Sequence, residues 1–311
     1  SMPKFAQRMT TMEKSARVVE KLFKSMTSPE TISFGGGAPA KELFPTKTLQ
    51  EISYDLFGSP QQGQRMLQYG SPEGERELRE VVAQFLLEPK GVCAAPEDIM
   101  IVNGGLETMN LICQVFIDPG DVILVESPTF VHCVEIFEMF QAKCVAVESD
   151  EQGLCMDDVE QKIRELHPKM VYVIPTFQNP SGKTLPLERR RQLAELGSRY
   201  DVLILEDDPY RDLRYSGEEL PPIQAFDTTG HTVLAGSFSK IFSPGARLGY
   251  VHASPAIIAK LYNAKTATNS QTSTLIQLLC AEFFRRGYFP AHLERVIDLY
   301  RERRDVMIEC I

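Results

Sequence analysis

"IMIVNGGLETMNLICQVF", residues 99–116, decides the fold. Four apolar residues in a row fit a short buried strand, Asn103-Gly104-Gly105 interrupts it, and Glu107–Phe116 then carries apolar residues at helical spacing. The same cadence repeats downstream. "VILV" at 122–125 runs into "ESPTF" and the helical stretch Val131–Phe140, "CVAV" at 144–147 precedes a helix near 157–166, and "MVYVIP" at 170–175 runs into "TFQNPSG". A basic helix around Leu187–Ser198 precedes "VLILEDDPY" at 202–210, and "TVLAGSFSK" at 232–240 closes the series. Strands and helices alternating at these lengths predict an α/β fold, with a large domain built on a mostly parallel sheet flanked by helices.

The flanks read as helices. Val19, Leu22, Phe23 and Met26 lie at helical spacing within 12–26, and a glycine-rich bend follows at 33–45. Ser71 reads as an N-cap with Pro72 at the first helical position, ahead of a face made by Leu78, Val81, Val82, Phe85 and Leu86. Pro255–Ala267, Ser273–Arg286 and Pro290 to the end read as three closing helices. The last reaches Ile311 without a cap, so the natural chain is expected to continue. Residues 1–45 are assigned to an N-terminal helix and arm, 46–288 to the large domain, and 289–311 to the start of a small C-terminal domain that is incomplete. The run Arg189-Arg190-Arg191 reads as a solvated helix face.

Composition narrows the function classes. The chain has 311 residues, 43% of them hydrophobic, with 33 Lys and Arg against 42 Asp and Glu and a net charge of −9. This excludes disorder as the default and speaks against a nucleic-acid partner. The seven cysteines are scattered and form no C-x-x-C pair, which fits reduced thiols in a cytoplasmic protein. The five histidines show no metal-binding spacing. No apolar run is long enough to span a bilayer, and residues 1–26 mix charge throughout, so neither a membrane nor a secretory leader is expected.

Ligands of open α/β sheets gather where strands end. That rule collects Asn103-Gly104-Gly105, Phe130, Asn179, Asp207 with Tyr210, and Ser237 to Lys240. The Gly104-Gly105 turn opens a helix whose backbone N–H groups and dipole suit a phosphate, and Ser237, Ser239 and Arg247 supply further donors. Lys240 is then left for chemistry as a nucleophile toward an aldehyde. Pyridoxal 5′-phosphate carries an aldehyde, a phosphate and a nitrogen ring. It fits with a Schiff base at Lys240, Asp207 at the pyridine nitrogen, Asn179 and Tyr210 at the ring hydroxyl, and Phe130 on the ring face.

With these pieces in order, the sequence resembles the class I/II aminotransferases, the fold-type I pyridoxal-phosphate enzymes. The matching segments are "LQYGSPEGERELR" (67–79), "NGGLETMNL" (103–111), "ESPTF" (126–130), "QNPSG" (178–182), "EDDPY" (206–210) and "SFSKIFSPGARLGY" (237–250). "SFGGGAP" and "EDDPY" are most similar to the aromatic, kynurenine and 2-aminoadipate group. The resemblance implies a homodimer in which Tyr69 reaches the cofactor phosphate of the neighbouring subunit. It implies Leu106 beside the phosphate turn, Gly36 and Gly37 near the substrate carboxylate with Asn179, and Lys240 as the proton shuttle. Phe130 stands where many relatives have Tyr, and the arginine for the substrate α-carboxylate is expected beyond Ile311. The expected activity is amino transfer between an amino acid and a 2-oxo acid by a ping-pong cycle. The alternatives are a pyridoxal-phosphate C–S lyase and the ligand-sensing domain of a transcription regulator. The latter expects a DNA-binding domain ahead of it, for which about thirty residues are too few.

Overall fold

The computed structural model describes residues 1–10, 41–209 and 219–309, with side chains as far as residue 303. The expected helix over 12–26, Gly36, Gly37 and Tyr210 lie outside the described residues.

Seven strands form one sheet: β1 (Ile99–Val102), β2 (Val122–Val125), β3 (Lys143–Ala146), β6 (Met170–Val173), β7 (Leu203–Asp208), β8 (Thr232–Ser237) and β9 (Gly249–His252). β4 (Ser149–Asp150) and β5 (Gly153–Leu154) make a small separate hairpin. The sheet order is β1-β9-β8-β7-β6-β2-β3. β9 pairs antiparallel with both β8 and β1, and the other pairs are parallel, so β9 alone runs against the rest. The expected α/β class is what the structure has. The sequence reading missed β9, because "GYVH" is short and follows a loop rather than a helix.

The core shows why these runs are strands. Side chains alternate across a sheet, and here Ile99 and Ile101 pack to one side while Met100 and Val102 pack to the other. Likewise Val171, Val173 and Ile204 face one way, and Met170, Tyr172, Leu203 and Leu205 the other. Both sides are covered, so β1, β6 and the first half of β7 are apolar throughout. Helices α4 (Gly105–Phe116), α5 (Val131–Met139) and α8 (Pro255–Thr268) cover one face. The other is covered by α1 (Thr46–Gly58), α2 (Pro60–Leu67), α3 (Arg76–Val81), α6 (Met156–Leu166), α7 (Leu187–Tyr200) and α9 (Thr274–Arg285). The last helix, α10, spans Phe289–Glu309.

Two expectations are corrected. Ser71 does not cap a helix: α3 begins at Arg76 with Glu75 before it. Gly74 adopts φ +95°, and a Cβ built on it would collide with the Ile101 side chain, a left-handed close approach that a helix cannot contain. Nor is the arginine run a solvated face, because Arg190 is 0% exposed. Its guanidinium donates to the carbonyls of Leu185, Pro175 and Pro221 and to Thr176 Oγ1. It thereby ties α7 to the loop after β6, with the buried charge satisfied by carbonyl oxygens.

Candidate active site

At the carboxyl edge of the sheet a cavity of about 240 Å³ is lined by residues from five loops. Gly105 and Leu106 follow β1, Phe130 follows β2, Ile174 and Asn179 follow β6, Asp207 and Pro209 end β7, and Ser237, Ser239 and Lys240 end β8. Arg247 joins them because β9 is antiparallel, which puts its amino end at the edge where the parallel strands finish. Nine of the residues expected at the site therefore line one cavity: Gly105, Leu106, Phe130, Asn179, Asp207, Ser237, Ser239, Lys240 and Arg247. Cys133, Ile174, Pro209 and Gly236 line it too, and sequence reasoning did not single them out.

Gly104 stands just outside. Its φ is +87°, and a Cβ built on it would collide with the Arg247 guanidinium. Arg247 itself has φ 53°, a left-handed conformation that non-glycine residues adopt at a cost and that clusters at ligand sites. Next to this contact is the amino end of the twelve-residue α4, where unsatisfied N–H groups and the helix dipole favour an anion. Ser237 Oγ accepts from the backbone N–H of Ser239 at 3.0 Å, which folds the two hydroxyl residues into one turn. A bare glycine against a guanidinium, a helix amino end and two serines fit a phosphate group.

The turn is braced from behind. Glu107 Oε2 accepts from the backbone N–H of Asn103 at 3.3 Å and from Asn269 Nδ2 at 2.8 Å, while its other oxygen pairs with the fully buried Lys265. On the far side, Gln178 is 3% exposed and donates from Nε2 to the Pro128 carbonyl at 2.7 Å and to Glu126 Oε2 at 3.3 Å. Glu126 also accepts from the Ile174 N–H at 3.0 Å, so one buried acid and one amide join the loop of Phe130 to the loop of Asn179. Burial pushes the Glu126 carboxyl up to about 8, against the pull of these donors.

The cavity's titratable groups are set mainly by loss of water. Burial lowers the Lys240 ammonium from its ordinary value, which favours the free amine that attacks carbonyl carbon. Burial pushes Asp207 up to about 6, partly offset by a hydrogen bond from Tyr172. Phe130 is half-buried, packing one side on the core while lining the cavity. Tyr69 is not brought into this cavity. It is 86% exposed and lines a separate depression with Asn269, Ser270 and Gln271.

Lys240, Asp207, Arg247 and the half-buried ring of Phe130 thus meet in one cavity at the carboxyl edge of a mostly parallel sheet. Residues 30–309 match the family "Aminotransferase class I and II", and the chain belongs to it. It is 38% identical over 301 residues to aromatic-amino-acid aminotransferase 1 of Thermococcus litoralis, covering 95% of this chain and 72% of that protein. Among solved structures, it is similar to the Pyrococcus horikoshii kynurenine aminotransferase in complex with PMP, at 35% identity and a TM-score of 0.87 over 98% of this chain and 76% of that one. It is also similar to the α-aminoadipate aminotransferase of Thermus thermophilus complexed with N-(5′-phosphopyridoxyl)-L-leucine, at 31% identity and a TM-score of 0.85 over 98% and 75%. The chain is a transferase of this family, whose cofactor is pyridoxal phosphate. Among the described residues, no helix is long and apolar enough to cross a membrane.

Proposed function

We propose that the chain moves an amino group from an amino acid to a 2-oxo acid in ping-pong order, with Lys240 as the residue that binds the cofactor's aldehyde carbon. The observation that carries this reading is the convergence of Lys240, Asp207 and Arg247 on one cavity. When bound, pyridoxal phosphate supplies an aldehyde and a ring that takes up the electron pair left at the substrate α-carbon. Arg247, Ser237, Ser239 and the N–H groups of Gly105 and Leu106 hold its phosphate. Asp207, as a carboxylate, holds the proton on the ring nitrogen, and Asn179 orients the ring from the opposite loop. Phe130 covers one face of the ring and excludes water from it. Lys240 Nζ, whose positive charge burial disfavours, would take the proton from the substrate α-carbon. Amino donor and oxo acid occupy the same cavity in turn.

The remaining assignments rest on the family resemblance. Tyr210 joins Asn179 at the ring hydroxyl, and Gly36 and Gly37 approach the substrate carboxylate. Tyr69 serves the phosphate of a second copy in a homodimer, consistent with its exposure beside the depression it lines. The names of the relatives favour an aromatic or long-chain amino donor.

The test loads the protein with pyridoxal phosphate and mixes it with one aromatic amino acid in a single turnover. Stoichiometric 2-oxo acid without ammonia, followed by regeneration of the starting spectrum on adding a second oxo acid, is the expected result. Release of ammonia and pyruvate from a sulfur amino acid, with no oxo-acid exchange, replaces the reading with that of a lyase.

A further inference from the structure

Asp207 is not alone at the cavity floor. The Tyr172 hydroxyl lies 2.6 Å from Asp207 Oδ2 and 3.2 Å from Cys133 Sγ. A phenol has one proton, and an ionised carboxylate only accepts. The proton of Tyr172 therefore goes to Asp207, and the contact with sulfur is made by the Cys133 thiol donating to the phenol oxygen. Burial pushes both the phenol and the thiol well above their ordinary values, so both remain protonated donors. Tyr172 is 0% exposed and Cys133 1%, and Phe137 packs edge-on against the phenol ring at 5.3 Å. The relay is fixed by packing as well as by hydrogen bonds.

The strand register explains the alignment. Tyr172 pairs with Leu205 across β6 and β7, and Asp207 is two residues farther on the same face. The phenol reaches forward along that face to the carboxylate. Ile174, two residues beyond Tyr172, lines the cavity itself.

We propose that Tyr172 is a positioning residue for the amino-transfer site: its hydroxyl, oriented by the Cys133 thiol, clamps Asp207 Oδ2, leaves Oδ1 to face the ring nitrogen, and keeps the carboxylate ionised. The proposal rests on the reading of Asp207 given above. Without this donor the other influences on Asp207 act together: burial disfavours its charge, and so does Asp208, the next residue in the strand. Lys240 also lines the cavity, and Glu206, on the opposite face of β7, is engaged by backbone N–H groups. A carboxylate stripped of its hydrogen bond is a stronger base and draws the shared proton from the ring nitrogen to itself.

The test uses the full chain loaded with pyridoxal phosphate labelled with ¹⁵N in the ring. Tyr172→Phe keeps the ring shape and removes the hydroxyl. The expected result is a ¹⁵N resonance moved toward the unprotonated pyridine position, with kcat lowered about tenfold and KM little changed. Cys133→Ala, which frees the phenol to rotate, is expected to move the resonance the same way by less. Asp207→Asn separates the two readings. If it leaves the resonance and the cofactor affinity unchanged, Asp207 does not face the ring and the site assignment fails with it. If it moves the resonance while a folded Tyr172→Phe leaves it at the wild-type position, the positioning role of Tyr172 is overturned and that of Asp207 stands. A Tyr172→Phe protein too unstable to load is replaced by 3-fluorotyrosine at the same position. There a more acidic phenol donates more strongly, and the resonance is expected to move toward the protonated side; no movement overturns the proposal.

Discussion

Lys240 and Lys265 are both withdrawn from water, and burial lowers both ammonium pKa values, yet the regions around them assign opposite work. Lys265, on α8, is wholly buried, its ammonium donates to Glu107 and Asn269 Oδ1, and Glu107 opposes the effect of burial. Lys240 lines a cavity at the sheet edge, where desolvation sets the direction of its shift. The comparison separates an ammonium paired with a carboxylate to brace a turn from one that, on the proposed reading, serves as the reacting amine. Glu206 and Asp207 repeat the lesson one residue apart. Glu206 turns its carboxylate to the backbone N–H groups of Ile223 and Gln224 at 2.7 and 3.0 Å, while Asp207, on the other face of the strand, meets Tyr172 and the cavity. Strand alternation alone sends one of two adjacent acids to backbone N–H groups and the other to the cavity where the proposed reaction takes place.

The largest effect belongs to Lys240→Ala. Loss of the proton-transferring amine is expected to lower kcat roughly a thousandfold or more, with the unfolding midpoint in urea unchanged or raised. Lys265→Met reverses the pattern. Leaving Glu107 buried without its cation is expected to cost about 3 kcal/mol or more in urea unfolding, with the covalent site at Lys240 intact. Equal effects of the two substitutions on stability and on rate would erase the distinction drawn between the lysines.

The acids come next. Asp207→Asn is expected to lower kcat about a hundredfold and to weaken cofactor binding. Glu206→Gln is expected to cost about 1–2 kcal/mol of stability, since its new NH₂ faces a backbone N–H, with little change in kcat. Steady-state kinetics and denaturant curves on the same preparations decide both.

A pH slope comes last, because it is read per pH unit rather than as the cost of one substitution. The folded-state carboxyl of Glu126 titrates at about 8, above its ordinary value. Its protonation therefore contributes stability that is fully present below the unfolded carboxyl pKa of about 4.3 and is lost as pH rises through the folded value. The slope in that window reaches about 1.4 kcal/mol per pH unit. Glu126→Gln, which keeps an acceptor for Ile174, is expected to lessen it, leaving the part that the buried Glu206 and Asp207, pushed up to about 7 and about 6, contribute with the same sign. An unchanged slope between pH 5 and 8 would assign the dependence to other groups.

Much of this site was legible in the sequence because strand ends announce themselves. Two of the apolar runs stop directly at a polar residue that lines the cavity: Asp207 follows "VLILE" and Lys240 follows "TVLAGSFS". Arg247 stands in the segment "SFSKIFSPGARLGY", although the strand that follows it, β9, was missed. What stayed hidden were contacts made across the fold. Arg190 looked like one of three surface arginines, since a sequence does not reveal which side of a helix meets carbonyl oxygens of another loop. Tyr172 sits unremarked inside the apolar run "MVYVIP", and the signal that points to it is chemical: a tyrosine in the middle of a fully buried strand needs a partner for its hydroxyl. Glu126 and Gln178 were parts of quoted motifs, but their bond across 52 positions appears only when β2 and β6 lie side by side.

The assignment of Lys240 is tested most directly by covalent capture. The protein is loaded with pyridoxal phosphate, reduced with borohydride, digested and mapped by mass spectrometry. The account predicts a phosphopyridoxyl group on Lys240, at about one per chain. Its absence from Lys240, with the label on another lysine or on none while the cofactor remains bound, would contradict the account at its root.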